Sequence, residues 1–198
     1  DPTGAKFASH YPDHIQLEPV FFSAEAFHNV FGGRKARVVT SISMFYDLPA
    51  PLEFMHQIAS VLADDGIWVM EQSYLPTMLV RNAYDTVCHE HLEYYGLRQI
   101  DWMARRAGLR ILDCSFNEIN GGSFSVTLAH QRSSRSSETA GIAAILAEEK
   151  ALGLSSRKPL DAFADRVAAH RDALLETLGA IAARSERVFG YGASTKGN

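Results

Sequence analysis

The sequence predicts an α/β fold, read as the back half of a doubly wound, Rossmann-like sheet with mostly parallel strands, on three observations. Short apolar runs alternate with segments of helical spacing through the first half. Residues 122–128 alternate cleanly, with Phe124, Val126 and Leu128 set against Ser123, Ser125 and Thr127, which suits an antiparallel partner. After Ala129 the composition changes to a Ser/Arg-rich stretch followed by helical sequence.

The elements follow in order. Residues 14–22 make a short, mixed apolar strand, and a helix over 23–31 follows, with Ser23 as N-cap and Gly32-Gly33 as its stop. Residues 37–44 carry Val38, Val39 and Ile42 and read as a buried strand. Pro49 and Pro51 set up a helix with Leu52, Met55, Ile58, Ala59 and Leu62 at helical spacing, ended by Asp64-Asp65-Gly66. Ile67-Trp68-Val69-Met70 is the next strand. A helix over 97–107, stopped by Gly108, leads to a strand at 110–116. That strand and 122–128, joined by 118–121, form an antiparallel hairpin at the sheet edge. Residues 131–139 are a linker or exposed loop, a helix follows to about Leu152, and Pro159 opens another. In this last helix Leu160, Phe163, Val167, His170, Leu174, Leu178 and Ile181 form a narrow seam of coiled-coil type. The seam predicts packing against a neighbouring helix or subunit, and allows a homo-oligomer through the helical segment.

Bulk properties narrow the function. With 46% hydrophobic and 21% charged residues, the 198-residue chain has the material for a real core. A net charge of -4 argues against a nucleic-acid partner. No apolar run approaches the ~18–20 residues that cross a bilayer. Cys88 and Cys114 are too few for a disulfide framework or a four-thiolate zinc site, so a reducing, cytoplasmic setting is the default. The start, Asp1-Pro2-Thr3-Gly4, has neither a Met nor the features of a signal peptide, and the end stops inside a glycine-rich turn; both suggest a piece of a longer protein. That turn is Gly-x-Gly without the third glycine, a weak case for a dinucleotide site.

In open α/β sheets ligands gather at the carboxyl ends of strands. Those positions are Phe21 to Ser23, Ser43 to Asp47, and Glu71 to Tyr74. Beyond them lies the richest run, Tyr84-Asp85-Thr86-Val87-Cys88-His89-Glu90-His91-Leu92-Glu93-Tyr94-Tyr95. Three readings fit His89-Glu90-His91. It is a polar loop satisfied locally; or a metal site, against which the two-residue spacing and lack of a third ligand speak; or a general base oriented by a neighbouring carboxylate. Spacing alone does not choose among them.

The run from Tyr84 to Tyr95 resembles the signature of SAM-dependent sugar C-methyltransferases acting on nucleotide-linked ketosugars. Three further segments agree in order: Phe45-Tyr46-Asp47-Leu48-Pro49, Asn120-Gly121-Gly122-Ser123, and residues 190–198. The resemblance implies a class I methyltransferase core over 1–130, helices over 131–187, and the start of a second Rossmann-like domain at 188–198. It implies S-adenosyl-L-methionine (SAM) as donor and a nucleotide-sugar as substrate, with zinc confined to a family N-terminal domain that this chain does not contain. His91 would be the base, with Glu90 beside it and Tyr84 or Tyr94 stabilising an oxyanion. Asp1 would bind the ribose hydroxyls of SAM, Phe22 and Ser23 would lie near adenine, and Ser41, Ser43 and Met44 near the methionine part. Asp47, Tyr74, Cys88, His89, Tyr94, Asn120, Gly121, Gly122, Ser123 and Lys196 would line the substrate site. The chain departs from the family at three of these. Cys88 stands where tyrosine is common, and Asp47 and Asn120 stand where histidine is found. The substrate class turns on these positions, and the alternatives are a non-catalytic nucleotide-sugar-binding module or a methyltransferase for another small molecule. The glycine-rich loop that cradles the donor is absent from the sequence, so the 198-residue chain alone is expected to bind SAM weakly and to be inactive.

Overall fold

The computed structural model describes residues 2–190 and 192. Its elements are α1 (Ala24–Phe31), β1 (Ala36–Ile42), α2 (Pro51–Val61), β2 (Leu62–Ser73), α3 (Leu75–Arg81), α4 (Leu97–Arg106), β3 (Leu109–Asn117), β4 (Ser123–His130), α5 (Thr139–Ala151) and α6 (Lys158–Ala183). Short 3-10 turns lie at Pro2–His10, Phe45–Asp47, Tyr84–Thr86 and Ile119–Gly121.

The sheet has the order β1-β2-β4-β3. β1 and β2 are parallel, and β4 runs antiparallel to both β2 and β3. This is the α/β fold the sequence predicts, with the β3–β4 hairpin at one end. β4 itself lies inside the sheet, which is why Phe124, Val126 and Leu128 are fully buried. The same face of β2 carries Trp68 and Met70, and α2 and α4 cover it with Met55, Ile58, Leu97, Ile100 and Met103. Burying each such side chain contributes ~1.5–3 kcal/mol. The Trp68 indole N–H donates to the Ser41 hydroxyl at 3.0 Å, which satisfies two buried polar groups at once. On the opposite face Val38 and Ile42 remain exposed.

Helix starts follow local chemistry. The Ser23 hydroxyl accepts from the Ala26 N–H at 3.0 Å and caps α1 as the sequence predicts. Prolines open α2 and α6 in the first turn, where a missing N–H costs nothing.

Three expectations are corrected. Residues 14–22 form no strand: Ile15, Val20 and Phe21 are exposed, and Pro19 has no N–H to give a ladder. α2 ends at Val61 rather than at Asp64, and Leu62 starts β2. Residues 63–66 bulge between the paired positions Ala36↔Leu62 and Val38↔Ile67, with Asp65 held by Arg37 at 2.9 Å. α3, unforeseen, buries Pro76, Met78 and Leu79 within seven residues, too few to show a helical period.

The Ser/Arg-rich stretch is pinned along β3 rather than free. Arg110 donates to the carbonyls of Ser133 and Arg135, Arg135 to that of Asp65, and the Glu138 N–H to that of Leu112. α5 then packs Ile142, Ile145 and Leu146 on the core. α6 uses the first half of its seam, Phe163 and Val167, in a cleft of about 490 Å³ shared with Tyr84 and Val87. Leu174 and Leu178, further along, stay 48% and 36% exposed.

Gly122 shows why the loop before β4 needs glycine. Its φ is +129°, and a Cβ there would lie 2.4 Å from Cγ2 of Thr77. Gly122→Ala should destabilise the fold by ~1–3 kcal/mol, and Thr77→Ala in the same chain should recover the steric part but not the backbone part. Denaturant midpoints of the two single variants and the double variant check this. Burial, followed by Asp113 and Glu149, pushes the Cys114 thiol up to about 12. At about pH 8 that leaves about one thiol in ten thousand ionised. A Cys88→Ser variant should therefore resist thiol reagents until it is unfolded.

Candidate functional site

β1 ends at Ile42, and the next residue turns sharply. Ser43 has φ +52°, a left-handed conformation rare outside glycine, held by its N–H donating to the Glu71 carbonyl at 2.8 Å. The chain then winds through the 3-10 turn Phe45–Asp47, in which Phe45 is buried among Phe54, Trp68 and Tyr95. Tyr46, next in the turn, is also buried, at the edge of the same core cluster.

Tyr46 organises the site. Its carbonyl accepts from the N–H groups of Leu92 and Glu93, at 3.0 and 3.1 Å. Its ring packs against the His91 imidazole with centroids 4.2 Å apart and planes tilted by 45°, and Tyr94 meets the same imidazole edge-on at 6.4 Å. The His91 N–H donates to the Cys88 carbonyl at 3.3 Å, a tight turn that places Cys88 within electrostatic reach of both tyrosines. The Tyr94 hydroxyl donates to the Thr86 carbonyl at 3.4 Å. Ser43, Tyr46, Asp47, Cys88, His91 and Tyr94 are thus gathered at the carboxyl end of β1. Glu90 and His89 are exposed, so the aromatic neighbours, not the adjoining carboxylate, orient the His91 ring. Among the described residues no three of His, Cys, Asp and Glu come together to hold a metal ion.

Other predicted site residues lie elsewhere or are spent on structure. The Tyr74 side chain is turned into the interior, where its hydroxyl donates to Glu149 at 2.8 Å; burial, then Glu149, raises its pKa far above the ordinary value. The substrate-pocket expectation for Tyr74 is corrected by that orientation. The Tyr84 hydroxyl hydrogen-bonds Nδ1 of His170 on α6 at 2.8 Å, which also gives His170 a packing role. Ser41 is buried and takes the Trp68 N–H, and Ser23 caps α1. Phe22 packs edge-on against Phe54, 5.3 Å away, in irregular chain rather than at a strand end. Met44 is half-buried against the core. Asn120 adopts a left-handed φ of +52°; the Gly121 carbonyl accepts from Arg81, the Gly122 carbonyl from the Tyr74 N–H, and the Ser123 hydroxyl donates to the Ile119 carbonyl. This loop therefore braces α3. Asp1 and Lys196 lie outside the described residues.

Sequence reasoning passed over Tyr46 as a site residue, although its place just past a strand end was signal enough. It also missed Glu149, for which the Ala-rich sequence of α5 gives no signal at all.

Burial holds the Tyr46 hydroxyl above its usual value of 10.0; a Ser43 hydrogen bond opposes the rise, and Asp47 and Cys88 add to it. A value raised on folding means stability that is intact below pH 10 and lost as pH climbs through the folded value. Tyr46→Phe should remove one phenol from the tyrosinate absorbance that develops above pH 10. A loss of signal from the phase below it would contradict the burial of Tyr46.

Comparison with known proteins now adds the family. The methyltransferase domain family matches residues 5–113, and the C-methyltransferase C-terminal domain family matches residues 118–198. The C-methyltransferase NovU of Streptomyces niveus is 31% identical over 185 residues, which cover 93% of this chain and 44% of that protein. The chain therefore spans less than half the length of this relative. Among solved structures, the CcbJ methyltransferase from Streptomyces caelestis aligns at 12% identity with a TM-score of 0.41, over 64% of this chain and 68% of its own. The magnesium protoporphyrin IX methyltransferase (ChlM) from Synechocystis PCC 6803, with bound SAH, aligns at 12% and a TM-score of 0.39, over 50% and 47%. With a methyltransferase domain matched over more than half its residues, the chain belongs to the methyltransferase domain family, and most of the remainder is similar to the C-methyltransferase C-terminal domain.

Proposed function

We propose that the full-length protein transfers a methyl group from SAM to a carbon of a nucleotide-linked ketosugar, with His91 as general base. The observation that carries this reading is the His91 imidazole held 4.2 Å from Tyr46 at the end of β1, with Cys88 and Tyr94 around it. A relative named as a C-methyltransferase supports carbon as the acceptor.

The chemistry follows from what carbon requires. A carbon takes a methyl group only as a nucleophile, so a proton has to leave first. A keto group acidifies the neighbouring C–H, and a neutral imidazole takes that proton at working pH. The enolate carbon then forms the new C–C bond while the methyl–sulfur bond breaks, its electron pair staying on sulfur. His91 afterwards returns the proton to solvent. Burial raises the Tyr94 hydroxyl, so it stays neutral at working pH, and by swinging its proton from the Thr86 carbonyl it can donate to negative charge on the sugar oxygen. Tyr46, also raised, stays neutral in the same range.

SAM, when bound, supplies the methyl group in electrophilic form. The described residues suit one side of such a donor: Ser43 offers an exposed hydroxyl at the strand end, and Phe22 and Met44 offer apolar contact. The carboxylate for the ribose diol is read as Asp1. Asp47, Cys88, Asn120 and the loop 121–123 belong to the substrate in this reading, and Lys196 to the same site from the C-terminal segment.

A second reading keeps the fold without turnover, as a nucleotide-sugar-binding module. It is favoured by Cys88, which sits beside His91 where the resembling family commonly has tyrosine.

His91→Ala decides between them. The proposed enzyme should lose about 10²–10⁴-fold in kcat while its affinity for the nucleotide-sugar is kept, and a wild type with no turnover would favour the binding module. Calorimetric titration of SAH into the full-length protein and into the 198-residue chain tests the donor. Binding to the full-length protein with weak binding to the shorter chain is expected, and binding to neither would overturn SAM as donor.

A further inference from the structure

Glu149 is the least expected residue of the fold. It lies in the last turn of α5, yet it is 1% exposed. Among the described residues no cation pairs with it. Its carboxylate accepts instead from three donors: the Tyr74 hydroxyl at 2.8 Å, the Leu97 N–H at 2.5 Å and the Arg98 N–H at 3.0 Å. A buried charge persists only with such partners, and charge-assisted bonds of this kind are roughly twice as strong as neutral ones. The two amides belong to the first turn of α4, where the helix dipole favours an anion. Gly96 leaves the room, since a Cβ there would stand 2.8 Å from the carboxylate.

The placement of the three donors is what matters. Tyr74 is the first residue after β2, and Leu97 is the first residue of α4. Between them lies the excursion 75–96, which holds α3, Cys88, His91 and Tyr94. One carboxylate therefore clamps both ends of the segment that carries the candidate base. The backbone reinforces the closure, because the Leu75 N–H donates to the Tyr95 carbonyl at 3.0 Å and Tyr74 pairs with Tyr95 as an isolated parallel bridge.

We propose that Glu149 is a positioning residue: its carboxylate fixes the two ends of the excursion 75–96 and so sets where the His91 ring stands against Tyr46. The inference rests on His91 as the base for its effect on turnover, though not for its effect on geometry. It also gives α5 a function, since a helix outside the sheet then holds the site in register.

The test uses the full-length protein labelled at histidine. Close contact with the Tyr46 ring gives the His91 ring protons a ring-current-shifted resonance, assigned by its absence in His91→Gln. Glu149→Gln keeps the shape of the side chain but replaces one acceptor oxygen by an amide donor facing donors. It should move the His91 resonance towards the position of an exposed histidine and lower kcat about ten- to a hundredfold, with SAH affinity changed less than about twofold. Tyr74→Phe, which removes one arm of the clamp, should move the same resonance in the same direction by less. A Glu149→Gln protein with a lower melting temperature but an unmoved His91 resonance and unchanged kcat would overturn the proposal. Should that variant fail to fold, an unmoved resonance in Tyr74→Phe would overturn it equally. Absence of turnover in the wild type would count against carbon methylation alone, since the resonance still decides the role of Glu149.

Discussion

The structure depends on how β2 lets go of the sheet and is caught again. At Tyr74 the chain leaves its strand for the excursion 75–96 and rejoins the core at α4. A loop of that length loses considerable conformational entropy on ordering, about 1–2 kcal/mol per residue for the backbone alone. Its ends are drawn together by the Tyr74–Tyr95 bridge and by the Glu149 carboxylate, which reaches both. Its middle is held by the Tyr46 carbonyl through the amides of Leu92 and Glu93. Each neutral hydrogen bond contributes only about 0.5–1.5 kcal/mol net. The order of the loop is therefore a collective property of several weak ties and one buried, charge-assisted cluster.

The same arrangement explains why an imidazole on a loop can hold one orientation. His91 is placed by its backbone turn to Cys88 and by its tilted contact with Tyr46, an aromatic contact worth about 0.5–1.5 kcal/mol beyond its area. Tyr46 is fixed in turn because Phe45, its neighbour, is locked between α2 and the sheet. A chain of packing runs from the core to the candidate base. The phenols beside it are neutral, since burial keeps the hydroxyls of Tyr46 and Tyr94 protonated at working pH.

Much of this was legible in the sequence where local signals are strong. The Ser23 cap, the prolines at the starts of α2 and α6, and the strict alternation of β4 each announce themselves within a few residues. The His89-Glu90-His91 run marked the loop that carries the candidate site. What failed to show depends on three-dimensional company. Residues 14–22 are apolar enough for a strand, but Pro19 lacks a ladder donor. α3, at seven residues, falls just short of two α-helical periods. Tyr74 was misread because a place past a strand end was weighed without strand parity. Trp68, Met70, Gln72 and Tyr74 alternate on one face, and that face is the core. Glu149 was invisible in principle: nothing about a Glu in an Ala-rich helix says that three donors from two distant segments will converge on it.

The central claim is that His91 removes a proton from a carbon next to a sugar ketone. The most direct measurement is solvent deuterium exchange at that carbon, followed by NMR, in a nucleotide-linked ketosugar incubated with the full-length protein and SAH in place of SAM. The account predicts exchange at one carbon with the wild type and none above background with His91→Ala. Undiminished exchange with His91→Ala would remove His91 as the base, and exchange by neither protein in the face of steady methyl transfer would contradict the enolate route itself.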